Sequence, residues 1–203
     1  EKQLSMDLKA NLSLFCSVQN ESFIEAPDVE SIYEVPLIFH KQGLDEQIIM
    51  LLRLRTQSKD LDAWNEVVRR LKNPKHHVTI ALAGKYTDYK DAYKSVNEAL
   101  IHGGIANDAK VKIRFLDTTD PDIQKHVEDV HGILVPGGFG DRGIEGKIRV
   151  AQLARENKIP YFGLCLGLQI AVIEFSRNVL KLSGAHSTEF EPKTRYPVID
   201  LLP

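Results

Sequence analysis

The sequence predicts an α/β protein built on a doubly wound, mostly parallel sheet. Short β-branched or apolar segments alternate with helical patterns through residues 78–175 of the 203-residue chain. Glycines follow several of these strand segments, at the positions where parallel sheets gather their functional sites. Residues 1–72 differ, because they carry mainly helical patterns. We therefore expect a mainly helical region followed by an α/β domain with right-handed crossovers.

The first region is predicted to hold one strand and three helices. These elements are the strand 12–16 and the helices 31–41, 44–54 and 64–71. Pro36 would kink the first helix or mark a fresh start. In the third helix, Trp64 and Val68 belong to one apolar stripe at helical spacing, which favours packing over a ligand role. Residues 73–77 are polar, contain a proline and form the predicted linker to the second region.

The second region alternates strands with helices, as a doubly wound sheet requires. The predicted strands are 78–83, 111–116, 132–136 and 159–164, and the predicted helices are 92–100, 120–127, 144–151 and 166–175. Gly103 and Gly104 would end the first of these helices. Asp120 and Pro121 would begin the second, as N-cap and first-turn proline. Residues 197–199 read as a further strand.

Composition and charge narrow the possible function classes. Hydrophobic residues make up 43% of the chain and charged residues 27%, with a net charge of −2. This balance gives no electrostatic case for binding nucleic acid or an anionic membrane surface. No apolar run approaches the roughly 20 residues of a membrane span, and the histidines show no metal-ligand spacing. Cys16 and Cys165 are far apart in sequence and predict reduced thiols in a cytoplasmic protein.

One cysteine lies between two glycines, in Gly163-Leu-Cys-Leu-Gly167, where a buried strand gives way to an apolar helix. Neither glycine suits a buried strand, since each weakens regular structure. A nucleophile held on a sharp strand-to-helix turn does need small neighbours, because the residues two before and two after it approach other backbone closely. The turn also places the sulfur at the positive end of the helix, which favours thiolate over thiol. We interpret Cys165 as the nucleophile of such an elbow; a buried cysteine flanked by glycines is the alternative.

A thiolate that attacks an acyl carbon needs hydrogen-bond donors for the developing oxyanion. The backbone N–H groups near Gly137 and Gly138, after another strand end, are candidates, as is the N–H of Leu166. The alternatives for this glycine-rich stretch are a flexible turn or a phosphate cradle. It does not match a Walker loop, because the Gly-Lys-Ser/Thr ending is missing.

Five stretches of the sequence, in order, carry a resemblance to a known family. They read IEAPDVESIYEVPLIFHKQGLD, GKYTDYKDAYKSVNEALIHGG, GILVPGGFGDRGIEGK, IPYFGLCLGLQIAVIEFSRNV and GAHSTEF. Together they resemble the CTP synthase family, from the tail of its amidoligase domain into its class I glutamine amidotransferase domain. The elbow alone is similar to a whole superfamily, whereas the five stretches together cover nearly the whole chain and are specific.

The resemblance implies an enzyme that aminates UTP to CTP in pyrimidine nucleotide biosynthesis. An amidoligase domain would phosphorylate UTP with ATP and Mg²⁺, and a glutaminase domain would release ammonia from glutamine to displace the phosphate. The resemblance also implies GTP as an allosteric activator, a homotetramer, and no nucleic-acid or membrane partner. Residues 1–55 would be the tail of the amidoligase domain, 56–77 an interdomain helix and linker, and 78–203 the first part of the amidotransferase domain.

The resemblance assigns glutamine-site roles residue by residue. Cys165 is the implied nucleophile, which forms a glutamyl thioester, and Glu189 is implied to bind the amino end of the substrate. The other implied glutamine-site residues are Gly138, Leu166, Gly167, Leu168 and Gln169. Without the resemblance, Glu189 reads equally well as a surface carboxylate.

The resemblance also implies two nucleotide sites. Phe139 and Arg142 would lie near the GTP activator, although Arg142 reads from sequence alone as a solvated loop charge. The segment Cys16, Ser17 and Val18 would line the adenine of ATP. Taken by itself, Cys16 reads as a core residue of the strand 12–16. We therefore expect Cys16 to be buried and inert, and Cys165 to be the reactive thiol.

The sequence departs from the family in one motif. The family's general base and its partner lie in a His-Pro-Glu motif, which does not occur in these 203 residues. His186 precedes Glu189 in the matching motif and is interpreted as structural. The phosphate loop and metal carboxylates of the amidoligase domain would lie upstream of Glu1. The chain is thus interpreted as a piece of a longer protein, with two incomplete active sites and no activity alone.

Two other functions remain open from the sequence. One is a cysteine enzyme of the intracellular peptidase and chaperone branch of this fold, in which a His usually follows the elbow cysteine; here Leu166 does. The other is a catalytically inactive regulatory or scaffold domain. The missing base fits that function, but the intact elbow at Cys165 and the carboxylate of Glu189 do not.

Overall fold

The chain forms two compact units, residues 1–74 and 75–203. The structure, a computed structural model, describes residues 4–56, 60–85 and 90–201. The predicted interdomain segment 56–77 therefore lies partly outside the described residues. None of the helices in the described part of the chain is long and apolar enough to cross a membrane.

The first unit is helical where a strand was predicted. Helix α1 spans Met6–Cys16, begins at the N-cap Ser5, whose side chain accepts a hydrogen bond from Leu8 N, and ends at Ser17 in the left-handed conformation. The predicted strand 12–16 is therefore wrong. Its apolar alternation covers only five residues, and a longer capped segment of helix-forming residues overrides it.

The other three helices of this unit agree with the prediction. Helix α2 spans Val35–Lys41, α3 Leu44–Leu51 and α4 Asp62–Lys72. Pro36 lies in the first turn of α2, where its missing N–H costs nothing, and a short 3-10 helix precedes it. Trp64 packs as expected: its indole N–H donates to the Tyr33 carbonyl at 2.8 Å, and the two rings lie 6.2 Å apart.

The second unit contains the predicted parallel sheet, in the strand order β2-β1-β3-β4. Its strands are β1 His76–Gly84, β2 Ala109–Asp117, β3 Gly132–Val135 and β4 Tyr161–Gly163, all paired in parallel. Strand β1 begins two residues earlier than predicted, so the linker is correspondingly shorter. Ala81, Leu82 and Ala83, toward the C-terminal end of β1, are fully buried, because side chains pointing to both faces of the sheet are covered there.

Three helices cover the sheet. They are α5 Lys94–Ala106, α6 Ile144–Glu156 and α7 Leu166–Asn178. Leu82 and Leu134 face α5, whereas Ala83 and Val135 face α6. Helix α7 packs against α6 through a second apolar cluster that includes Ile170. The carboxyl ends of the strands consequently gather at one edge of the sheet, where α6 and α7 begin.

Three details differ from the prediction. Helix α5 does not end at the glycine pair but continues through it. A side chain at Gly104 would meet the carbonyl oxygen of Ala109, and only glycine allows that close approach. The predicted helix 120–127 is only a 3-10 turn at Ile123–His126. A short strand, β5 His186–Ser187, was not predicted; it pairs with the expected last strand, β6 Pro197–Ile199.

An ion pair joins α6 to α7 and was not foreseen. Glu174 is 3% exposed, and its carboxylate accepts hydrogen bonds from Arg155, with Nη2 at 2.8 Å, and from the Asn178 amide at 3.0 Å. The carboxylate holds the pKa of Arg155 above its usual range. Each acceptor oxygen of Glu174 thus has a donor, which a buried carboxylate requires.

Candidate active site

Cys165 occupies the sharp turn between β4 and α7. It is the N-cap of α7, with φ of 51° and ψ of −109°, and it is exposed. An L-residue rarely adopts a positive φ, so the backbone at Cys165 is strained, as is typical of functional turns. The turn places the sulfur outside the sheet, at the N-terminal end of a helix of 13 residues.

The two flanking glycines are required by close backbone contacts. A Cβ on Gly163 would collide with the backbone of Gly167 and approach Leu168 N to 2.6 Å. A Cβ on Gly167 would collide with the carbonyl of Val135 in β3. The first turn of α7 therefore packs directly against β3 and β4, and only glycine leaves room for these contacts.

The Tyr161 side chain stabilises the same turn through a hydrogen bond. Its hydroxyl donates to the carbonyl oxygen of Gly167 at 2.7 Å. Burial, with a smaller contribution from Glu174, raises the pKa of Tyr161 well above its usual range. The phenol therefore stays protonated and keeps its donor role at any ordinary pH.

The loop after β3 supplies backbone donors beside the thiol. A Cβ on Gly137 would lie 3.4 Å from the Cys165 Cβ and 4.0 Å from its Sγ, so the loop passes directly alongside. Within the described residues, the N–H groups of Gly137, Gly138 and Leu166 have no hydrogen-bond acceptor. Unused N–H groups from a loop and a helix N-terminus beside a nucleophile are the arrangement that stabilises an oxyanion.

Two lysines lie against the same loop. Lys85, at the end of β1, donates to the carbonyl oxygen of Phe139. Lys147, from the first turns of α6, is 2% exposed, and its Nζ lies 4.0 Å from the Cβ position of Gly138. Burial, with a smaller contribution from Lys85, lowers the pKa of Lys147. Sequence reasoning missed Lys147, because only the fold turns it inward.

The predicted glutamine-site residues differ in their surroundings. Leu166 and Gly167 are buried, whereas Leu168 is exposed. The Oε1 atom of Gln169 is buried and has no hydrogen-bond partner among the described residues. Glu189 is exposed, and its backbone N–H donates to Ser187 Oγ. No contact within the described residues joins Glu189 to Cys165.

The residues predicted for the nucleotide sites are all exposed. Phe139 is 85% exposed on the loop after β3, and Arg142 follows it before α6. Cys16 is exposed as well, so its predicted burial is wrong. The reason is that α1 buries none of its residues within the first unit, and the core strand expected there does not form.

His186 lines a cleft in the second unit. Its Nδ1 accepts from the backbone N–H of Ser187 at 2.9 Å, and its Nε2 lies 3.8 Å from a Glu145 carboxylate oxygen that also pairs with Arg177. Burial and the positive charge of Arg177 lower the pKa of His186. The cleft, of about 500 Å³, does not include Cys165 in its lining. These contacts support a structural role for His186.

No group of three or more histidine, cysteine or carboxylate side chains in the described ranges could hold a metal ion. The loop that passes Cys165 carries backbone N–H groups, and two lysines lie against that loop.

Comparison with known families identifies both units. The family model described as "Glutamine amidotransferase class-I" matches residues 88–195, and the model described as "CTP synthase N-terminus" matches residues 1–54. Curated CTP synthases from Syntrophus aciditrophicus and Clostridium kluyveri are 52% and 53% identical over 206 residues. Each match covers 100% of this chain but 38% of the relative.

A solved structure agrees with these matches. The structure titled "Trypanosoma brucei CTPS - glutaminase domain with bound acivicin" has a TM-score of 0.58 and 44% sequence identity. The similarity covers 61% of this chain and 50% of that chain. The fold, the elbow and the matched ranges agree with one another, and the chain therefore belongs to the class-I glutamine amidotransferases, as a member of the CTP synthase family.

Proposed function

We propose that this chain carries the glutaminase chemistry of a CTP synthase and that Cys165 is its nucleophile. The observation that carries the proposal is the exposed, strained Cys165 at the N-terminus of α7, beside the unused N–H groups of the Gly137–Gly138 loop. The sulfur attacks the side-chain amide carbon of glutamine. A C–S bond forms, the C–N bond breaks, and the nitrogen leaves as ammonia after taking up a proton. Water then hydrolyses the thioester to glutamate.

The backbone donors would stabilise the tetrahedral intermediate. The N–H groups of Gly138 and Leu166 come from the two sides of the thiol and have no other acceptor in the described structure. Each such donor is typically worth about 3 kcal/mol of barrier. Both are backbone groups, so they can donate without a change of side-chain conformation when the charge develops.

Gln169 and Glu189 are proposed to hold the amino end of glutamine. The buried Gln169 Oε1 is an acceptor without a donor, and a buried unsatisfied acceptor is costly unless a ligand pairs with it. Glu189 offers an exposed negative charge to the same ammonium group. Leu168, whose apolar side chain is exposed, also belongs to the proposed glutamine site.

The remaining parts of the function are proposals that rest on the family. They are the ATP- and Mg²⁺-dependent amination of UTP to CTP, activation by GTP near Phe139 and Arg142, an adenine contact at residues 16–18, a homotetramer and a cytoplasmic location. The match of residues 1–54 to the CTP synthase N-terminal family supports assigning residues 1–55 to the amidoligase domain, 56–77 to an interdomain segment and 78–203 to the amidotransferase domain.

Hydrolytic turnover needs a base that this sequence does not show. It contains no His-Pro-Glu motif, and both ring nitrogens of His186 face other groups. We therefore propose that the 203 residues alone form an adduct at Cys165 without sustained turnover. The same missing motif favours the second candidate, a catalytically inactive amidotransferase-like regulatory domain.

A chloromethyl ketone analogue of glutamine separates the two candidates. In this reagent –CO–CH₂Cl replaces the side-chain amide, so reaction forms a C–S bond and releases chloride. We expect stoichiometric labelling at Cys165, slowed by added glutamine, with Cys16 left unmodified, and peptide mapping by mass spectrometry reads the site. Equal labelling of both exposed thiols, unaffected by glutamine, would support the inactive domain instead.

A further inference from the structure

Lys147 is a buried cation for which the structure shows no counter-charge. It is 2% exposed, and no hydrogen bond or ion pair of its Nζ is present among the described residues. The charged group that acts on it most is another cation, Lys85. A buried lysine without a partner destabilises the folded protein, because water solvates the ammonium better than the interior does. Such an arrangement is more typical of a functional site than of a structural one.

Lys147 and the Cys165 thiol both lie close to the Gly137–Gly138 dipeptide. Its Nζ lies 4.0 Å from the Cβ position of Gly138, and the Cβ position of the preceding Gly137 lies 4.0 Å from the Cys165 sulfur. The ammonium and the nucleophile thus each lie close to the Gly137–Gly138 segment, at successive residues. Helix α6 fixes the lysine there, since its first turns also carry the buried Ile144 and Ile148.

A positive charge on one side of this segment orients its peptide group. In a trans peptide the C=O and the N–H point in opposite directions. An ammonium on one side of the segment favours the peptide orientation in which the Gly137 carbonyl oxygen faces it, and the N–H of Gly138 would then face the other side. Lys85 acts on the same loop in the same sense, since it donates to the Phe139 carbonyl.

We propose that Lys147 is a positioning residue for the oxyanion site: its buried ammonium orients the Gly137–Gly138 peptide so that the N–H of Gly138 faces the atom that Cys165 attacks. This inference rests on the proposed function. The lysine acts through the backbone donor and need not contact the substrate, so it lies outside the set of glutamine-binding residues.

The test compares two reagents on the thiol of the intact chain. The sulfur adds to the ketone carbon of the chloromethyl ketone analogue and makes its oxygen negative before it shifts to the adjacent CH₂ carbon, where chloride leaves and the ketone re-forms. Iodoacetamide alkylates the same sulfur by direct displacement of iodide, without forming an oxyanion. Lys147→Met keeps the length and the apolar stem of the side chain and removes its charge. We expect K147M to slow labelling of Cys165 by the chloroketone about tenfold, less than the loss of a whole oxyanion donor. Its iodoacetamide rate should stay within about twofold of the parent, because the attack by sulfur itself needs no donor.

Three further variants control for charge and fold. Arg149→Met removes a positive charge from the exposed face of the same helix, where Arg149 donates a hydrogen bond to Gln152, and should leave both rates unchanged. Lys147→Arg keeps the charge and should retain most of the chloroketone rate. K147M should melt no lower than the parent, since an uncompensated buried charge has been removed. Lys147→Gln provides a second neutral side chain should the Met variant fail to fold.

Three results would overturn the inference. They are an unchanged chloroketone rate in a folded neutral variant, an equal loss in R149M, and an equal loss with iodoacetamide, which would place the effect on the thiol rather than on the loop. If the unmodified chain itself does not react with the chloroketone at Cys165, the proposed function fails first, and the inference fails with it.

Discussion

Replacing Cys165 by alanine should abolish CTP formation from glutamine and leave CTP formation from ammonia intact. The measurement uses a CTP synthase as long as the curated relatives, with this sequence as part of its chain. Removing a covalent nucleophile typically costs several powers of ten in rate, because the remaining site only positions water against an amide. Free ammonia enters after that step, so its use does not depend on the thiol. Alanine has the same Cβ as cysteine at the strained turn and adds no polar atom, so the fold should persist.

The assay follows the absorbance change on conversion of UTP to CTP at alkaline pH, where un-ionised ammonia is plentiful. Each variant is measured with glutamine and with ammonium chloride as the nitrogen donor. The ammonia-dependent rate serves as an internal control for folding and for the rest of the reaction. An equal loss with both donors, in a variant that melts like the parent, would show that Cys165 is not a dedicated glutaminase nucleophile.

Gly167→Ala should strongly destabilise the fold. The new Cβ would collide with the Val135 carbonyl, which belongs to a central strand and cannot move aside. Overpacking against backbone typically costs 1–3 kcal/mol, and we expect about 3 kcal/mol here. Any folded fraction should also label slowly at Cys165, since the elbow must shift away from β3.

Gly103→Ala is the matched control, because nothing lies within 4 Å of a Cβ at that position. Gly103 is an exposed residue inside α5. Alanine there should raise the free energy of unfolding by roughly 0.5–1 kcal/mol through its higher helix propensity. Urea unfolding of both variants measures the contrast. Similar stabilities for G167A and the parent would contradict the close packing of the elbow on the sheet.

The sheet and the elbow were predictable because their signals are local. Buried strands alternate with helices in the sequence, and a cysteine between glycines has few structural explanations other than a strained turn. The observed strand order β2-β1-β3-β4 has the switch point, between β1 and β3, that a doubly wound sheet implies. The loop at Gly137 was predicted beside Cys165 for the same reason, since both follow strand ends at one edge of the sheet.

The errors arose where tertiary contacts decide the structure. Gly104 stays inside α5 because the Ala109 carbonyl passes beside it, a contact between different elements that no local pattern shows. Cys16 was expected in a core strand, but α1 is a helix without buried residues. The buried charges of Lys147 on α6 and Glu174 on α7 were not predicted, because only the packing of these helices turns them inward. Sequence patterns thus predicted which backbone forms the site, but not which charged side chains lie behind it.

The most direct test of the central assignment is the detection of the glutamyl thioester itself. The same full-length CTP synthase is mixed with radiolabelled glutamine, quenched in acid within a turnover and digested. The account predicts an acid-stable, hydroxylamine-labile glutamyl group on the peptide that contains Cys165 and none in Cys165→Ala, because a thioester survives acid but yields to a strong nucleophile. Hydrolysis of glutamine at the parental rate with no such adduct, or with the adduct on another residue, would contradict it.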